Sequence, residues 1–364
     1  MKSQYQQHIK QFKTSKKIIF SFYLLILVIP CHAQDIQLTQ YYNIAQSHNP
    51  AFVGTSYAFR AVLDGRFQWP ALDAKYKTYY FSADYNLERY NSGFGGYFIS
   101  DYQGSGNIIR KTKIALQYAS WININDEYSL RLGIEGAYNN LHLNYQEQTF
   151  PSQYSTYHIE YNTTRFPQIL TDIEHPHYFD VGSGLLLYSD QLWAGYSLYH
   201  INRPSTGFWE NSGSNTSFLH TLLGGYRFKY NIGMRESLND YNFHVIPTFL
   251  YKTQGPSDQL DLGVYLQYKD ILMGTWYRGI PIKNYNNSIK NINNESIIFL
   301  MGLIFDSFSF AYSYDIVISK LYSSWGAHEI GIIYKFPPES QFISKHKKYK
   351  ALPCPKMQKM IMKK

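Results

Sequence analysis

The chain has few charged residues and few cysteines. Charged side chains make up 16% of its 364 residues, against about 25% in typical soluble domains. A soluble helical protein needs more Lys and Glu on its surface, so that class is disfavoured. Two cysteines, Cys31 and Cys354, exclude a scaffold built on several disulfides. Intrinsic disorder is also disfavoured, because 18% of the residues are aromatic and 36 of them are tyrosine.

Long apolar runs are also missing beyond the N-terminus. The run from Ile18 to Ile29 is too short for a membrane helix, which needs about 20 residues. It follows a lysine-rich start and precedes Pro30 to Ala33, an order typical of a secretory signal peptide. We therefore predict a signal peptide over residues 1–33. Lipidation at Cys31 stays open as an alternative, although Pro30 is a poor residue before a lipidated cysteine.

The formal net charge of +8 is concentrated at the two ends of the chain. Lysines crowd the leader and the tail 337–364, and the body between them is slightly acidic. A nucleic-acid partner is therefore not predicted, because the body offers no basic patch. The tail is instead predicted to be a periplasmic segment that docks an acidic partner. A disordered, solvated tail is the alternative.

The body shows period-2 alternation in segments of about ten residues. In residues 128–138, Leu132 and Ile134 alternate with Arg131 and Glu135. About fourteen such segments occur between residues 57 and 336. The pattern predicts an all-β fold, a transmembrane antiparallel up-and-down β-barrel, with the tyrosines forming a lipid-facing and interfacial coat. A soluble β-sandwich shows similar alternation, but here the aromatics cluster near the strand ends.

The predicted connections alternate between short and long. Outer-membrane barrels have short periplasmic turns and long outer loops. Two connections break the rule, 229–240 by being long and 253–257 by being short. An even strand number predicts that both termini face the periplasm.

The segment 34–56 alternates little and contains Asn49-Pro50, so we predict a non-strand element that underlies or plugs the barrel. Candidate partner-binding residues are Asn49, Pro50, Phe52, Trp69, Lys345, Lys347, Lys348 and Lys350. Polar residues of the strands are predicted to form a lumen-facing network, comprising Arg131, Glu135, Asp180, Asp261, Arg278 and Asp315. Such a network either braces the barrel or lines a path for solutes.

Three further patterns are weaker. Asp172, Glu174, His175 and His177 have ligand chemistry for a divalent cation, but a flexible loop seldom fixes ligand geometry. His200, His220 and His328 lie at predicted strand ends, where a Ser/His/Asp site is conceivable. The glycine-rich stretches 93–96 and 104–106 lack the lysine of a phosphate loop. We predict no metal, no cofactor and no catalytic residue.

Several motifs in sequence order carry a resemblance to a known family. They are Asn49 to Gly54, Arg66 to Pro70, Phe179 to Gly182, Trp276 to Arg278, Tyr312 to Asp315, His328 to Ile330 and Pro353 to Pro355. With them the chain resembles the PorP/SprF family of type IX secretion outer-membrane proteins of Bacteroidetes. The resemblance implies a non-enzymatic barrel in the outer-membrane lipid, with secretion components and a secreted adhesin carrying a C-terminal sorting domain as partners. The long insert 139–177 and the lysine-rich end depart from the family pattern.

Three functions therefore compete. The first is a secretion and attachment barrel of the gliding type, which engages protein partners. The second is a passive porin or a channel for hydrophobic solutes. The third is an outer-membrane hydrolase, which needs a nucleophile and a base in contact.

Overall fold

The computed structural model describes residues 35–56, 59–144, 175–208, 215–231, 243–286, 289–305, 307–319 and 321–336; of residues 281–286 and 289–293 it describes the backbone alone. The predicted signal peptide and the predicted basic tail lie outside the described residues. The compact unit that contains the strands begins at Ile36. No helix in the described part of the chain is long and apolar enough to cross a membrane.

The described strands form one antiparallel sheet that closes on itself. They are β1 (Arg60–Gln68), β2 (Tyr76–Leu87), β3 (Ser92–Gln103), β4 (Ile109–Asn123), β5 (Ser129–Leu143), β6 (His177–Tyr188), β7 (Leu192–Tyr199), β8 (Leu219–Tyr226), β9 (Phe228–Tyr230), β10 (Phe243–Gln254), β11 (Ser257–Tyr268), β12 (Ile271–Asn286), β13 (Ile289–Phe305), β14 (Phe308–Val317) and β15 (Ala327–Lys335). β1 pairs with both β2 and β15, and this second pairing closes the barrel.

The predicted barrel of about fourteen strands is confirmed. β8 and the three-residue β9 pair with successive parts of β10, so together they count as one strand of the barrel wall. The main difference concerns β12 and β13, which continue as a hairpin to residues 286 and 289. In this region the alternation of the sequence indicates strands only near 271–279 and 296–305. Backbone pairing carries the hairpin on through three register shifts.

The two faces of the wall have opposite chemistry. On β5, Leu132 and Ile134 are 51% and 62% exposed, whereas Arg131 and Glu135 are buried. The apolar face thus points outward and the polar face inward, the reverse of a soluble protein and the arrangement of a barrel in lipid. The expected tyrosine coat accounts for only part of the tyrosines. Tyr80, Tyr97 and Tyr265 are buried on the inner face, where they fill the lumen.

The two rims of the barrel differ. One rim carries the connections 88–91, 124–128, 189–191, 231–242, 269–270 and 306–307, and is named the short-turn rim. The other carries 69–75, 104–108, 144–176, 200–218, 255–256, 287–288 and 318–326, and is named the long-connection rim. The start of β1 and the end of β15 lie at the short-turn rim, as an even number of wall strands requires.

The N-terminal segment (residues 36–56) lies inside the barrel. It contains a one-turn helix, α1 (Ala45–His48), and a 3-10 turn (Pro50–Phe52). From Leu38 to Ser56 its residues are buried, apart from a half-buried Ser47. Residues 39 and 40 contact strand residues near the long-connection rim, and residues 51–54 contact residues near the short-turn rim. The segment therefore runs along the lumen from one rim towards the other.

A charged side chain on the lipid-facing surface should destabilise the barrel most when it lies deep in the membrane. Ile134→Arg places a cation in the apolar outer face of β5, so we expect the free energy of unfolding to fall by about 2–4 kcal/mol in lipid. Denaturant titration of the chain folded in vesicles measures this change. The matched control is Ile124→Arg, at an equally exposed position (59%) in the β4–β5 turn. An equal loss for both variants would contradict the assignment of the outer face.

Candidate functional site

The lumen and its N-terminal segment hold most of the buried polar chemistry. The segment is also apolar in part, since Leu38, Ile44 and Phe52 belong to the hydrophobic core. Tyr41 lies edge-on to Tyr265 and Trp276, with ring centroids 6.3 Å apart in both cases. Its hydroxyl donates to Thr248 Oγ1 at 2.5 Å. Aromatic packing of this kind fixes the segment beyond what area burial alone would do.

A cluster of five charges lies near the long-connection rim. Its centre is Arg66 on β1, which donates to Asp315 of β14 at 2.8 Å and to Glu329 of β15 at 3.0 Å. Arg66 and Glu329 are register partners, so their ion pair bridges the two strands that close the barrel. Both side chains are at most 4% exposed. Ion pairs this well buried cost a great deal when one partner is removed.

The other half of this rim cluster involves β11 and β12. Arg278 donates to Asp261, its register partner, at 3.1 Å, and to Asp315 at the same distance. Asp315 thereby joins Arg66 to Arg278. The five members, Arg66, Arg278, Asp261, Asp315 and Glu329, form one continuous network with one carboxylate in excess.

The N-terminal segment completes the rim cluster. The backbone N–H groups of Thr39 and Gln40 donate to the two carboxylate oxygens of Glu329, each at 2.7 Å. The Thr39 hydroxyl donates to Asp315 at 2.8 Å. Charge-assisted hydrogen bonds of this length are about twice as strong as neutral ones. The carboxylates thus hold the wall arginines and the segment at the same time.

A second set of contacts holds the segment further along the lumen. Arg131 donates to the carbonyl oxygens of Ala51 at 3.0 Å and Val53 at 2.5 Å. The Asn49 amide donates to the backbone oxygens of Leu185 at 3.0 Å and Tyr196 at 3.2 Å. A wall side chain thereby satisfies buried carbonyl groups of the segment, and a segment side chain satisfies buried carbonyl groups of the wall.

Glycines allow the segment to approach the wall. A Cβ on Gly133 would lie 2.3 Å from the Ala51 nitrogen, and a Cβ on Gly93 would lie 2.5 Å from the Val53 oxygen. Both contacts are with backbone atoms that cannot move aside. By contrast, a Cβ on Gly136 of the same strand meets nothing within 4 Å. The glycines therefore mark where the segment docks.

A third group of charges faces the same lumen from β4, β5 and β6. Lys113 lies 2.9 Å from Glu135 and 3.8 Å from Asp180, and His200 lies 3.0 Å from Asp180. Glu135 also accepts from Gln117, whose amide donates to the backbone oxygen of Gln46 in α1. This group therefore also contacts the segment, through one glutamine.

Asp64 is a further buried acidic residue of the lumen. It lies on the inner face of β1 opposite Gly331 and is 5% exposed. Neither of its oxygens has a hydrogen-bonding partner in the described part of the chain. The missing side chain of Gly331 leaves room for it, because a Cβ there would lie 3.0 Å from Asp64 Oδ2.

The structure places the predicted residues as follows. The six lumen-facing residues are all buried on the inner face but fall into separate groups: Asp261, Arg278 and Asp315 lie in the rim cluster, Glu135 and Asp180 around Lys113, and Arg131 against Ala51. Asn49, Pro50 and Phe52 are buried in the lumen. Trp69 lies in the β1–β2 connection with φ 57° and contacts Tyr76 edge-on. The four lysines of the tail lie outside the described residues.

Sequence reasoning did not select Arg66, Glu329, Thr39, Gln40 or Lys113 as site residues. Strand parity could have found Arg66 and Glu329, since each sits at an inward position of an alternating strand. No local signal marks Thr39 and Gln40, because they act through backbone N–H groups.

The weaker candidates are distributed over the outer surface and the long-connection rim. His175 stacks on His142, and partial burial with two neighbouring imidazoles lowers the pKa of His175. Asp172 and Glu174 lie outside the described residues. Within the described ranges, no group of three or more His, Cys, Asp or Glu side chains could hold a metal ion. His220 and His328 hydrogen-bond to tyrosine hydroxyls, whereas His200 faces Asp180.

Comparison with protein families is decisive. The family model described as type IX secretion system membrane protein PorP/SprF matches residues 31–334. The chain belongs to this family. It is therefore a membrane β-barrel of type IX secretion with the fold of outer-membrane barrels, and its family and fold are those of a secretion barrel rather than an enzyme class.

The solved structures that the chain matches are only distantly similar to it. The Acinetobacter baumannii outer membrane protein Omp33 is 6% identical with a TM-score of 0.40, over 78% of this chain and all of that one. The Ralstonia pickettii toluene transporter TbuX is 10% identical with a TM-score of 0.45, over 80% of this chain and 93% of that one. A Pseudomonas aeruginosa FadL homologue is 11% identical with a TM-score of 0.40, over 79% and 93%. A search of curated proteins returned no match.

Two neighbouring inward residues of β1 should affect stability in opposite directions. Arg66→Met leaves Asp315 and Glu329 buried without their shared cation, so we expect the free energy of unfolding to fall by about 3–5 kcal/mol. Asp64→Asn prevents ionisation at a buried position that has no hydrogen-bonding partner among the described residues, so we expect a rise of about 1 kcal/mol. Denaturant titration in vesicles measures both. A loss of stability in Asp64→Asn would show that the Asp64 carboxylate has a partner.

Steric crowding at Gly133 should loosen the N-terminal segment. In Gly133→Ala the new methyl group meets Ala51 and Pro50, so the segment must shift and become more accessible to protease. Limited proteolysis of the folded barrel, followed by mass spectrometry of fragments from residues 36–56, measures this. Gly136→Ala is the control, because its methyl group has open space. Equal protection of the segment in both variants would contradict the docking geometry.

Proposed function

We propose that this barrel supports the export or the surface attachment of a large adhesin-like protein by docking it, and does not conduct solutes. The observation that carries this proposal is the filled lumen. The N-terminal segment occupies the path between the rims and is held by charged and backbone contacts along its length. A barrel closed in this way offers its rims and its outer surface to partners.

The long-connection rim is the surface proposed for docking the secreted protein. Its described connections include Trp69 and Trp325, and Trp325 is 68% exposed. Trp325 is a candidate anchor, because tryptophan is enriched among the residues that contribute most to binding at protein interfaces. The partner proposed for this rim is an adhesin with a C-terminal sorting domain, as the family resemblance implies.

The short-turn rim is proposed to face the periplasm. The end of β15 lies at this rim and leads into the basic tail with Lys345, Lys347, Lys348 and Lys350. We propose that the tail meets an acidic periplasmic component of the secretion machinery. Asn49, Pro50 and Phe52 serve partner binding indirectly in this proposal, because they hold the segment inside the lumen.

Loss of the protein should affect surface display rather than solute uptake. In a deletion strain, we expect one large adhesin to disappear from the cell surface and cell spreading to stop. Surface proteomics measures the adhesin in the deletion strain and after re-expression of the wild-type chain or of a variant with glutamine at the four tail lysines. We expect the wild type to restore the adhesin to the surface, and the variant to restore a several-fold smaller amount. An unchanged surface proteome in the deletion strain would contradict the proposal.

Conductance of the purified barrel separates this function from a passive porin. In planar bilayers, we expect the wild-type chain to give no steady ion conductance. A steady open conductance in the wild type would favour the porin and would show that the segment does not seal the lumen.

A further inference from the structure

Three pairs of tyrosine and histidine recur on the outer surface of the barrel. The Tyr138 hydroxyl lies 2.9 Å from His177 Nδ1. The Tyr196 hydroxyl lies 2.8 Å from His220 Nδ1, and the Tyr312 hydroxyl lies 2.8 Å from His328 Nδ1. The three tyrosines are 40–45% exposed, so the pairs sit on the outward face.

The three pairs share one geometry. In each hairpin the histidine lies in register with the residue two positions beyond the tyrosine: Asn140 for His177, Leu198 for His220 and Tyr314 for His328. Each histidine is the first or second residue of its strand after a connection of the long-connection rim. The pairs therefore lie at one level along the barrel, beside this rim.

In the tautomer whose Nδ1 accepts from the tyrosine hydroxyl, the proton of each neutral imidazole resides on Nε2. For His177 the Asn140 amide donates to the same Nδ1 atom at 2.7 Å. In this tautomer Nε2–H is the ring's donor, on the far side from the tyrosine hydroxyl.

Cations accompany the pairs at the same rim. Arg110 lies over the outward Tyr102 ring, 5.2 Å from its centroid. His142, the register partner of Arg110 on β5, stacks on His175 with ring centroids 4.1 Å apart. Below them the outer wall is apolar, as at Ile134 and Ile330, which are 62% and 52% exposed.

The short-turn rim has a different composition. Its outward aromatics are phenylalanine and tyrosine, as in the contacts of Phe308 with Tyr334 and of Tyr226 with Phe228. Among the described histidines, the one near this rim is His244, which is turned inward and 8% exposed. Outward imidazole donors are thus concentrated at one rim, and the asymmetry matches a leaflet rich in hydrogen-bond acceptors.

We propose that His177, His220 and His328, together with Arg110, bind the phosphate groups of lipid headgroups in the leaflet at the long-connection rim. This set is called the imidazole belt. Imidazole N–H and guanidinium groups are strong donors to phosphate oxygens. The tyrosine rings fix the donors at the level where aromatic side chains meet headgroups. The belt thereby selects a phosphorylated lipid and sets the depth and orientation of the barrel.

The experiment compares two probes, lipid A with its phosphates and dephosphorylated lipid A, on the purified full chain in detergent. The test variant carries His177→Phe, His220→Phe and His328→Phe, which keep the rings and remove the donors. The control variant carries Tyr85→Phe, Tyr230→Phe and Tyr268→Phe, exposed positions near the short-turn rim. Heat-modifiable gel migration confirms that each variant is folded, and native mass spectrometry measures bound lipid.

We expect the wild type to bind the phosphorylated probe about tenfold or more tightly than the dephosphorylated one, because each lost hydrogen bond to a charged acceptor weakens binding by about that factor. The histidine variant should lose this preference and the tyrosine variant should keep it. The proposal is overturned if the wild type shows no preference, or if both variants lose it equally. Displacement of the lipid by an equal concentration of inorganic phosphate would also overturn it, since the belt would then be a site for a free anion.

Discussion

The rest of the structure depends on the ion pair between Arg66 and Glu329. These two residues face each other across the strands that close the barrel, and Glu329 accepts both backbone N–H groups at the start of the N-terminal segment. One carboxylate therefore links the closure of the wall to the filling of the lumen. Buried charges are costly unless they are paired and hydrogen-bonded, and here the segment donates a backbone N–H group to each oxygen of Glu329.

The interior explains why the barrel needs this segment. A wall of this size encloses more space than its own side chains fill. The segment contributes Tyr41, Ile44 and Phe52 to the hydrophobic core, and glycines at positions 93 and 133 let its backbone lie directly on the wall. Packing, hydrogen bonds and ion pairs thus favour the same position of the segment. The segment thus occupies the lumen, which supports the proposal that partners act at the rims and the outer surface.

Sequence alone predicted the fold well because a barrel wall is a local pattern. Alternation assigned Arg131 and Glu135 to the inside and Leu132 and Ile134 to the outside, and connection lengths assigned the rims. It could not predict which charges pair. Arg66 and Glu329 are 263 residues apart in sequence, and only closure of the barrel brings them together. It also missed the inner tyrosines, although strand parity places them on the inward face. It missed the extended β12–β13 hairpin because polar backbone pairing leaves no local signature.

The most direct test of a segment held inside the lumen is a cross-link between that segment and the wall in native outer membranes. The Gln40 amide lies 3.3 Å from the Ser313 hydroxyl, so a short bifunctional maleimide should join Gln40→Cys to Ser313→Cys, in a chain whose Cys31 and Cys354 are replaced by serine. Gln40→Cys with Ser309→Cys, on the same inward face of β14 but nearer the short-turn rim, should not be joined by this reagent. Absence of the first cross-link, with both cysteines open to a bulky maleimide, would contradict a segment held by the rim cluster inside the lumen.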